Sequence, residues 1–520
     1  MFSGAACSCN VPHTTQDKLA GPRPDAGESA ASEQSLAVDL RRLLSIAGPN
    51  AASTAAETIM SFIDFAIVSV LGAQAQAAVS AGGMIYFSVF GMLLGTMVCV
   101  TTVVSQSLGA GRLRDCASYG WQGIWLSMVF GAIGVAVWPL MPGFFALVGH
   151  EPAVQVMEVD FTRIRLCGLW LAGMGVVLGH FFNGIHQPRI NTYSVAGSVV
   201  LNAVLSYGLV LGKWGLPAMG VAGAALGSVI ANAVRVAWLL TAMLRSRSTA
   251  RFEPARAWPL NLDKMRRLVG VGLPSGLSFF LDITAWATLL VVIIGRFGTQ
   301  SLAATATCWR YTELSFMPAV GIGIAVATLV GRSIGENQPA QARRWARLGT
   351  VISMSYMGLM GAIFVVFGRP LMELFSDDAE VIRLGVRFLI FTAVFQLSDA
   401  VAITYINALR GAGDTRWPAA MFAFLSWGLI VGASAMLAHL RPDWGAAGPW
   451  ACSTLAVIIG GVLLAYRWRT GAWEKMDVIG RRLPEAVAVE ASPFKQYSVL
   501  PVEEAASDRG GQTGTCGGSA

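Results

Sequence analysis

The chain has 520 residues, of which 54% are hydrophobic and 13% charged, with a formal net charge of +7. Soluble globular proteins carry about 25% charged residues, and a mean hydropathy of +0.58 excludes that class. The positive excess does not point to nucleic acid, because Lys and Arg cluster in short connections between apolar runs.

In chain order, residues 1–38 are rich in Ala, Ser, Gly and Pro, lack periodicity and read as a disordered tail. Apolar segments follow near 43–70, 78–107, 116–141, 154–183, 190–212, 219–244, 265–295, 300–332, 346–368, 380–409, 416–439 and 445–468. Each exceeds the roughly 18–20 apolar residues that cross a bilayer as a helix. The period-2 alternation of a membrane barrel is absent. The expectation is an all-α polytopic membrane protein of twelve transmembrane helices in two pseudo-symmetric six-helix lobes. The lobes are expected over 39–245 and 264–468, with an inter-lobe loop over 246–263 and a second disordered tail over 469–520. Pro49, Pro274 and Pro318 lie inside apolar runs and mark segments expected to bend. The eight Cys residues show no CxxC spacing and read mostly as small hydrophobes within helices.

Orientation follows from the basic residues. Alternate connections carry Arg112 and Arg114, Arg189, the run from Arg245 to Arg267, the group Arg332–Arg347, and Arg410 and Arg416. The intervening ones carry Lys213, Arg296, Arg369 and Arg441, so the bias is about four to one. It places both termini in the cytoplasm of a bacterial inner membrane.

The two halves repeat. Pro49 recurs as Pro274, Ser107-Leu-Gly109 as Ser333-Ile-Gly335, Gly131-Ala-Ile as Gly361-Ala-Ile, and Asn183 as Asn407, at offsets of about 225–230 residues. Duplication of a six-helix unit explains the common spacing.

Charges within such segments are costly and invite a functional reading. Glu57 and Asp64 lie seven residues apart on one face of the first segment; Asp282 lies in the seventh and Asp399 in the tenth. Glu57 and Asp282 each follow their repeated proline by eight residues, so they are expected to face each other across a central cleft. Carboxylates kept from water can take up a proton or bind Na⁺ as hard oxygen ligands, with Asn202 or backbone carbonyls completing such a shell. Asp399 and Asp282 are the candidate Na⁺ ligands. Arg310 and Glu313 stand at i,i+3 and can neutralise one another. Asp160, Arg163 and Arg165 of the fourth segment are expected at the membrane interface. There is no HExxH, GxSxG or Walker loop and no clustered His, which argues against an enzyme or an ATP-driven pump.

With SFIDFAIVSVLG around Asp64, VVSQSLGAGR at 103–112, LNAVLSYGLVLGKWGLPAMGVAGAALGS at 201–228 and INALRGAGDTRWP at 406–418, the membrane body resembles the MATE multidrug and toxic compound extrusion transporters, NorM-like members in particular. The resemblance implies antiport: a small, often cationic amphiphile leaves as Na⁺ or H⁺ enters, with no cofactor, by alternating access of the lobes. It implies coupling roles for Asp399 and Asp282, and for Asp64 and Asn202 in the first lobe. Two departures stand out: Ser206 occupies a position that is often Asp, and Glu57 one that is often Gln. Trp286, Trp309, Tyr311, Glu313 and Phe395 are candidates for the substrate cavity, where aromatic faces suit cations. The expected partners are small-molecule substrates and the lipid bilayer, not nucleic acid, and the protein is expected to act as a monomer. A lipid-linked saccharide flippase of the same superfamily is the alternative. Its cavity would be basic, whereas the charges inside these segments are mainly acidic.

Overall fold

The computed structural model describes residues 26–148 and 151–480, and among them every regular element is helical. The tails expected over 1–38 and 469–520 lie outside the described residues at 1–25 and 481–520.

Twelve spans emerge when a bent pair is counted as one. In the first half they are α1 (Ala26–Ser69, apolar from Leu36), α2 (Ala73–Gly109), α3 (Leu113–Ala146), α4 (Pro152–Cys167 with Leu169–Gly184), α5 (Pro188–Leu211) and α6 (Val221–Arg245). In the second half they are α7 (Leu262–Phe297), α8 (Thr299–Gly335), α9 (Pro339–Val366), α10 (Ala379–Ala412), α11 (Arg416–Leu440) and α12 (Ala447–Arg469). Local chemistry sets several ends. Pro188 opens α5, where a missing N–H costs nothing. Asn261 accepts from the Lys264 amide at 3.0 Å to start α7, and Asp378 accepts from the Glu380 amide at 2.8 Å to start α10.

The helices run unbroken through Pro49, Pro274 and Pro318. α4 bends by 47° at Gly168, and π-helical turns interrupt α7 at Leu289–Ile293 and α11 at Leu425–Ala433. Such turns rotate the following residues relative to the ladder and recur at functional sites.

Each half forms the same arrangement. In the first, α1, α5, α6, α4 and α2 pack in sequence around a ring, and α3 lies outside against α4 and α2. In the second, α7, α11, α12, α10 and α8 do the same, with α9 outside against α10 and α8. The halves join by exchange: α1 packs on α8, and α7 on α2.

At the end bearing the basic connections the two rings are sealed. A side chain at Gly109 of α2 would strike the Arg332 carbonyl of α8, and one at Gly335 would strike the Gln106 carbonyl, so only glycine lets these backbones touch. Thr102 donates to the Arg410 carbonyl at 2.8 Å and Gln106 to the Gly411 carbonyl at 2.9 Å, stitching the seal.

The segment after α12 also differs from the expected disordered tail. Trp473 is fully buried, stacks on Trp468 at 4.2 Å and donates to its carbonyl at 2.9 Å. Glu474 pairs with Arg343 at 2.6 Å. Val478 and Ile479 then enter the apolar core of the first half, where Arg112 donates to the Ile479 carbonyl at 2.9 Å. Composition reads this stretch as a tail, but three apolar side chains give it enough burial to order. The connection over 246–261 is likewise held, by Trp121 donating to the Pro254 carbonyl and Trp125 to that of Trp258.

Candidate functional site

Inside the first ring, Asp64 of α1 meets donors from two other helices. Asn202 of α5 donates to Oδ1 at 2.6 Å and Ser206 at 3.1 Å, while Ser228 of α6 donates to Oδ2 at 3.3 Å. The spacing of Asn202 and Ser206 puts both on one face of α5, so Ser206 supplies a neutral donor where an acid was the alternative. Arg165 of α4 acts on the same carboxylate electrostatically and lies over the Tyr86 ring at 4.2 Å. Tyr86 is buried, so Arg165 packs inside the helix ring.

Glu57 has a different fate. Two helical turns from Asp64 toward the sealed end, it pairs with Arg235 of α6 at 3.1 Å. Arg235 donates a second bond, at 3.2 Å, to Asn191 of α5. Because α5 stands between α1 and α6 in the ring, the Glu57 and Asp64 contacts both link the two helices that flank α5.

Inside the second ring, Asp282 of α7 accepts from Ser426 of α11 at 2.7 Å. Ser426 sits in the π-helical turn of α11. Asp399 of α10 is half-buried and within electrostatic reach of Asp282. Among the described residues neither acid has a basic partner, and no donor reaches Asp399. Glu57 and Asp282 each find a partner on a helix of their own ring, with α1 packed against α8 and α7 against α2.

The aromatic candidates divide. Trp286 and Trp309 lie 5.8 Å apart, tilted and partly exposed, between α7 and α8. Tyr311 donates to the Leu371 carbonyl at 2.7 Å, its ring edge-on to Phe375, and it is 9% exposed. Phe395 is 4% exposed in the same apolar core. Both fill space between helices, which corrects their expected place on a cavity wall. Glu313 pairs with Arg310 at 3.5 Å, and Arg310 lies over Phe62 of α1 at 5.3 Å, so this pair spans the junction of the halves.

Sequence reading missed Ser228, Ser426 and Arg235. The two serines are ordinary within apolar helices and carry no signal. Arg235 did carry one: a guanidinium ten residues inside an apolar helix.

The MatE family model matches the chain twice, over residues 49–208 and 274–433. The two matches start at Pro49 and Pro274, the residues that opened the repeat. The multidrug resistance protein PmpM of Pseudomonas aeruginosa is 28% identical over 82% of this chain and 91% of its own length. A probable multidrug resistance protein NorM of Mesorhizobium japonicum is 27% identical over 85% of this chain and 96% of its own. Among solved structures, an outward-facing multidrug resistance MATE family transporter of the MOP superfamily superposes with a TM-score of 0.77 at 19% identity, covering 84% of this chain and 97% of its own. The eukaryotic MATE transporter AtDTX14 does so with a TM-score of 0.76, also at 19% identity, over 84% and 97%. At that identity the superpositions speak for the fold alone.

Proposed function

The chain belongs to the MatE family and is a multi-pass membrane transporter, not an enzyme; from that premise we propose that it exports small amphiphilic cations in exchange for Na⁺ or H⁺. The observation that carries the reading is the pair Asp282 and Asp399. Two acids close together within membrane helices and lacking a basic partner require a counter-charge, and a proton or a Na⁺ ion provides it. Asp64 is already served by three donors, and Glu57 by a guanidinium, so the second ring is the coupling site. Asp64 and Asn202 form a secondary site inside the first ring.

The names of the relatives support multidrug substrates. The sealed basic end supports alternating access: these contacts must part for a substrate to enter from the side of the basic connections, which the positive-inside rule places in the cytoplasm. The protein then works as a monomer in a bacterial inner membrane with both termini cytoplasmic.

The test is efflux of ethidium from membrane vesicles with pH and Na⁺ gradients imposed separately. One of the two gradients drives export in the wild type. Asp399→Asn lowers that gradient-driven rate by about ten-fold or more, the scale for losing a group that acts only through its charge. A wild-type rate in Asp399→Asn removes the second ring from the mechanism.

A further inference from the structure

α5 and α6 pack on helices of their own half, so the outer face they share looks into the bilayer. A groove of about 700 Å³ runs along that face of α6. Val234, Ala237, Trp238 and Thr241 line its length, and Arg245 closes one end. Their spacing puts these side chains on one stripe of the helix. Trp238 is 51% exposed, and its ring lies beside Gly197 of α5, where a side chain would come to 3.9 Å from the indole. Arg245 is the last residue of α6, at the basic end, and stands seven residues or roughly 10 Å beyond Trp238 by helical rise. No ion pair among the described residues engages it. The rim beside it is held: Ser246 and Ser248 share a hydrogen bond of 2.8 Å, and Ser248 donates to Gln187 at 3.0 Å. That bond joins the basic stretch around Arg189 to the one that carries Arg247 and Arg251. The second half does not repeat the pair. At the offset of 225 residues given by Pro49 and Pro274, Trp238 corresponds to Leu463 and Arg245 to Thr470.

We propose that this groove is a binding site for one anionic phospholipid, taken from the leaflet on the side of the basic connections. Its phosphate sits on Arg245, and one acyl chain runs along Trp238 and Val234. The match is one of charge and length together. An apolar channel with a cation at its headgroup end fits a molecule that is apolar along its length and negative at one end. The guanidinium fork can hold two phosphate oxygens. An indole is at home at the depth where chain meets headgroup. The neighbouring arginines enrich anionic lipid at the same surface, and basic pockets between membrane helices on that side are suited to its headgroups. The site lies on the outside of the first ring, apart from the acids that carry the export reading: Arg235, three residues before Trp238, turns the other way to meet Glu57.

The probes are dioleoyl phosphatidylglycerol and dioleoyl phosphatidylcholine, which share their chains and differ in headgroup charge. Each is titrated into the purified full-length protein in detergent, and native mass spectrometry gives the affinity for the first bound lipid. The wild type binds the first phosphatidylglycerol about ten-fold or more tighter than the first phosphatidylcholine, the worth of a charged hydrogen bond. Arg245→Gln removes that preference, and Arg245→Lys keeps part of it, because the charge remains while the fork is lost. Arg245 is exposed, so neither change disturbs the core. Trp238→Leu weakens the first site several-fold for both lipids and leaves their ratio unchanged, since it alters the chain contact alone. Arg347→Gln, at an exposed position near the start of α9 on the same side of the membrane, changes neither. Equal losses of preference in Arg245→Gln and Arg347→Gln would reveal diffuse attraction to a basic surface and overturn the inference. Wild-type affinities in Trp238→Leu would also overturn it, because the anion would then rest on Arg245 with no chain in the groove. Ethidium export is measured separately, so either result leaves the export reading standing.

Discussion

Asn202 on α5 donates to Asp64 on α1 across 2.6 Å, the closest of three contacts that hold this carboxylate inside the first ring. The bond joins two helices that also meet through Ser53 and Thr192 nearer the start of α1, and in hydrocarbon an acid without donors is costly. Asn202→Ala removes the donor and leaves Oδ1 with Ser206 alone. The expected cost is about 1.5–3 kcal/mol, the range for a hydrogen bond to a charged group. Ser228→Ala, whose bond is longer at 3.3 Å, costs less, about 0.5–1.5 kcal/mol. Thermal unfolding of the detergent-solubilised protein checks the order. Equal effects would mean that Asp64 does not depend on α5.

In the second ring the relation between Asp282 and Asp399 predicts non-additivity. If one counter-charge serves both acids, removing either leaves nothing to hold it, and removing the second adds no further loss. Asp282→Asn and Asp399→Asn should each lower gradient-driven efflux by about ten-fold or more, and the double variant should resemble the singles. Independent sites would instead multiply the two losses. Efflux rates of the three variants in one vesicle preparation distinguish the cases.

Much of this was legible in the sequence, for reasons tied to particular residues. Apolar runs marked the twelve spans because a helix crossing hydrocarbon must be predominantly apolar, and Pro49 and Pro274 marked the repeat that the family model matches at the same two residues. Asp64 and Asn202 were paired by their family positions, and the structure joins them. What the sequence concealed is what depends on rotation about a helix axis. That Glu57 pairs with Arg235 is decided by how α1 turns within its ring, and a pattern of residue types does not carry that angle. Trp473 and Ile479 were hidden for another reason. Their stretch is short and polar on average, and its order comes from a few long-range contacts.

That segment makes its own prediction. It is anchored in the second half by Trp473 and ends in the core of the first at Ile479, across the sealed end. Trp473→Ala should cost about 3–5 kcal/mol, as for a large core aromatic. Ile479→Asp leaves the anchor intact but places a charge in an apolar core, so it should free the tip and loosen the seal. Cys99 reports on this, since it is fully buried and its thiol faces the Val271 carbonyl of α7 at 3.6 Å. In a variant retaining only this cysteine, maleimide labelling from the basic side should rise several-fold in Ile479→Asp. It should stay low in Glu474→Gln, which removes a surface pair worth about 0.2–1 kcal/mol. Unchanged labelling in Ile479→Asp would show that the segment merely rests on the seal.

His186, in the connection between α4 and α5, gives the seal a pH dependence. Burial, and then the charges of Arg332 on α8 and Arg42 on α1, hold its imidazole at about 3 against an ordinary value of 6.5. Its buried Nε2 has no hydrogen-bond partner. A group whose pKa is lower in the folded state takes up protons preferentially when the structure opens, so acid favours the open form. Stability is therefore intact above pH 6.5 and declines as pH falls from there toward 3, by at most about 1.4 kcal/mol per unit. Replacement is constrained, because the backbone is left-handed at φ 63°. Asparagine tolerates that conformation better than most residues and does not titrate. The melting temperature of the wild type should fall between about pH 6.5 and pH 5, and His186→Asn should remove His186's share of that slope. Equal slopes in the two proteins would place the acid sensitivity elsewhere, in carboxylates that protonate at lower pH.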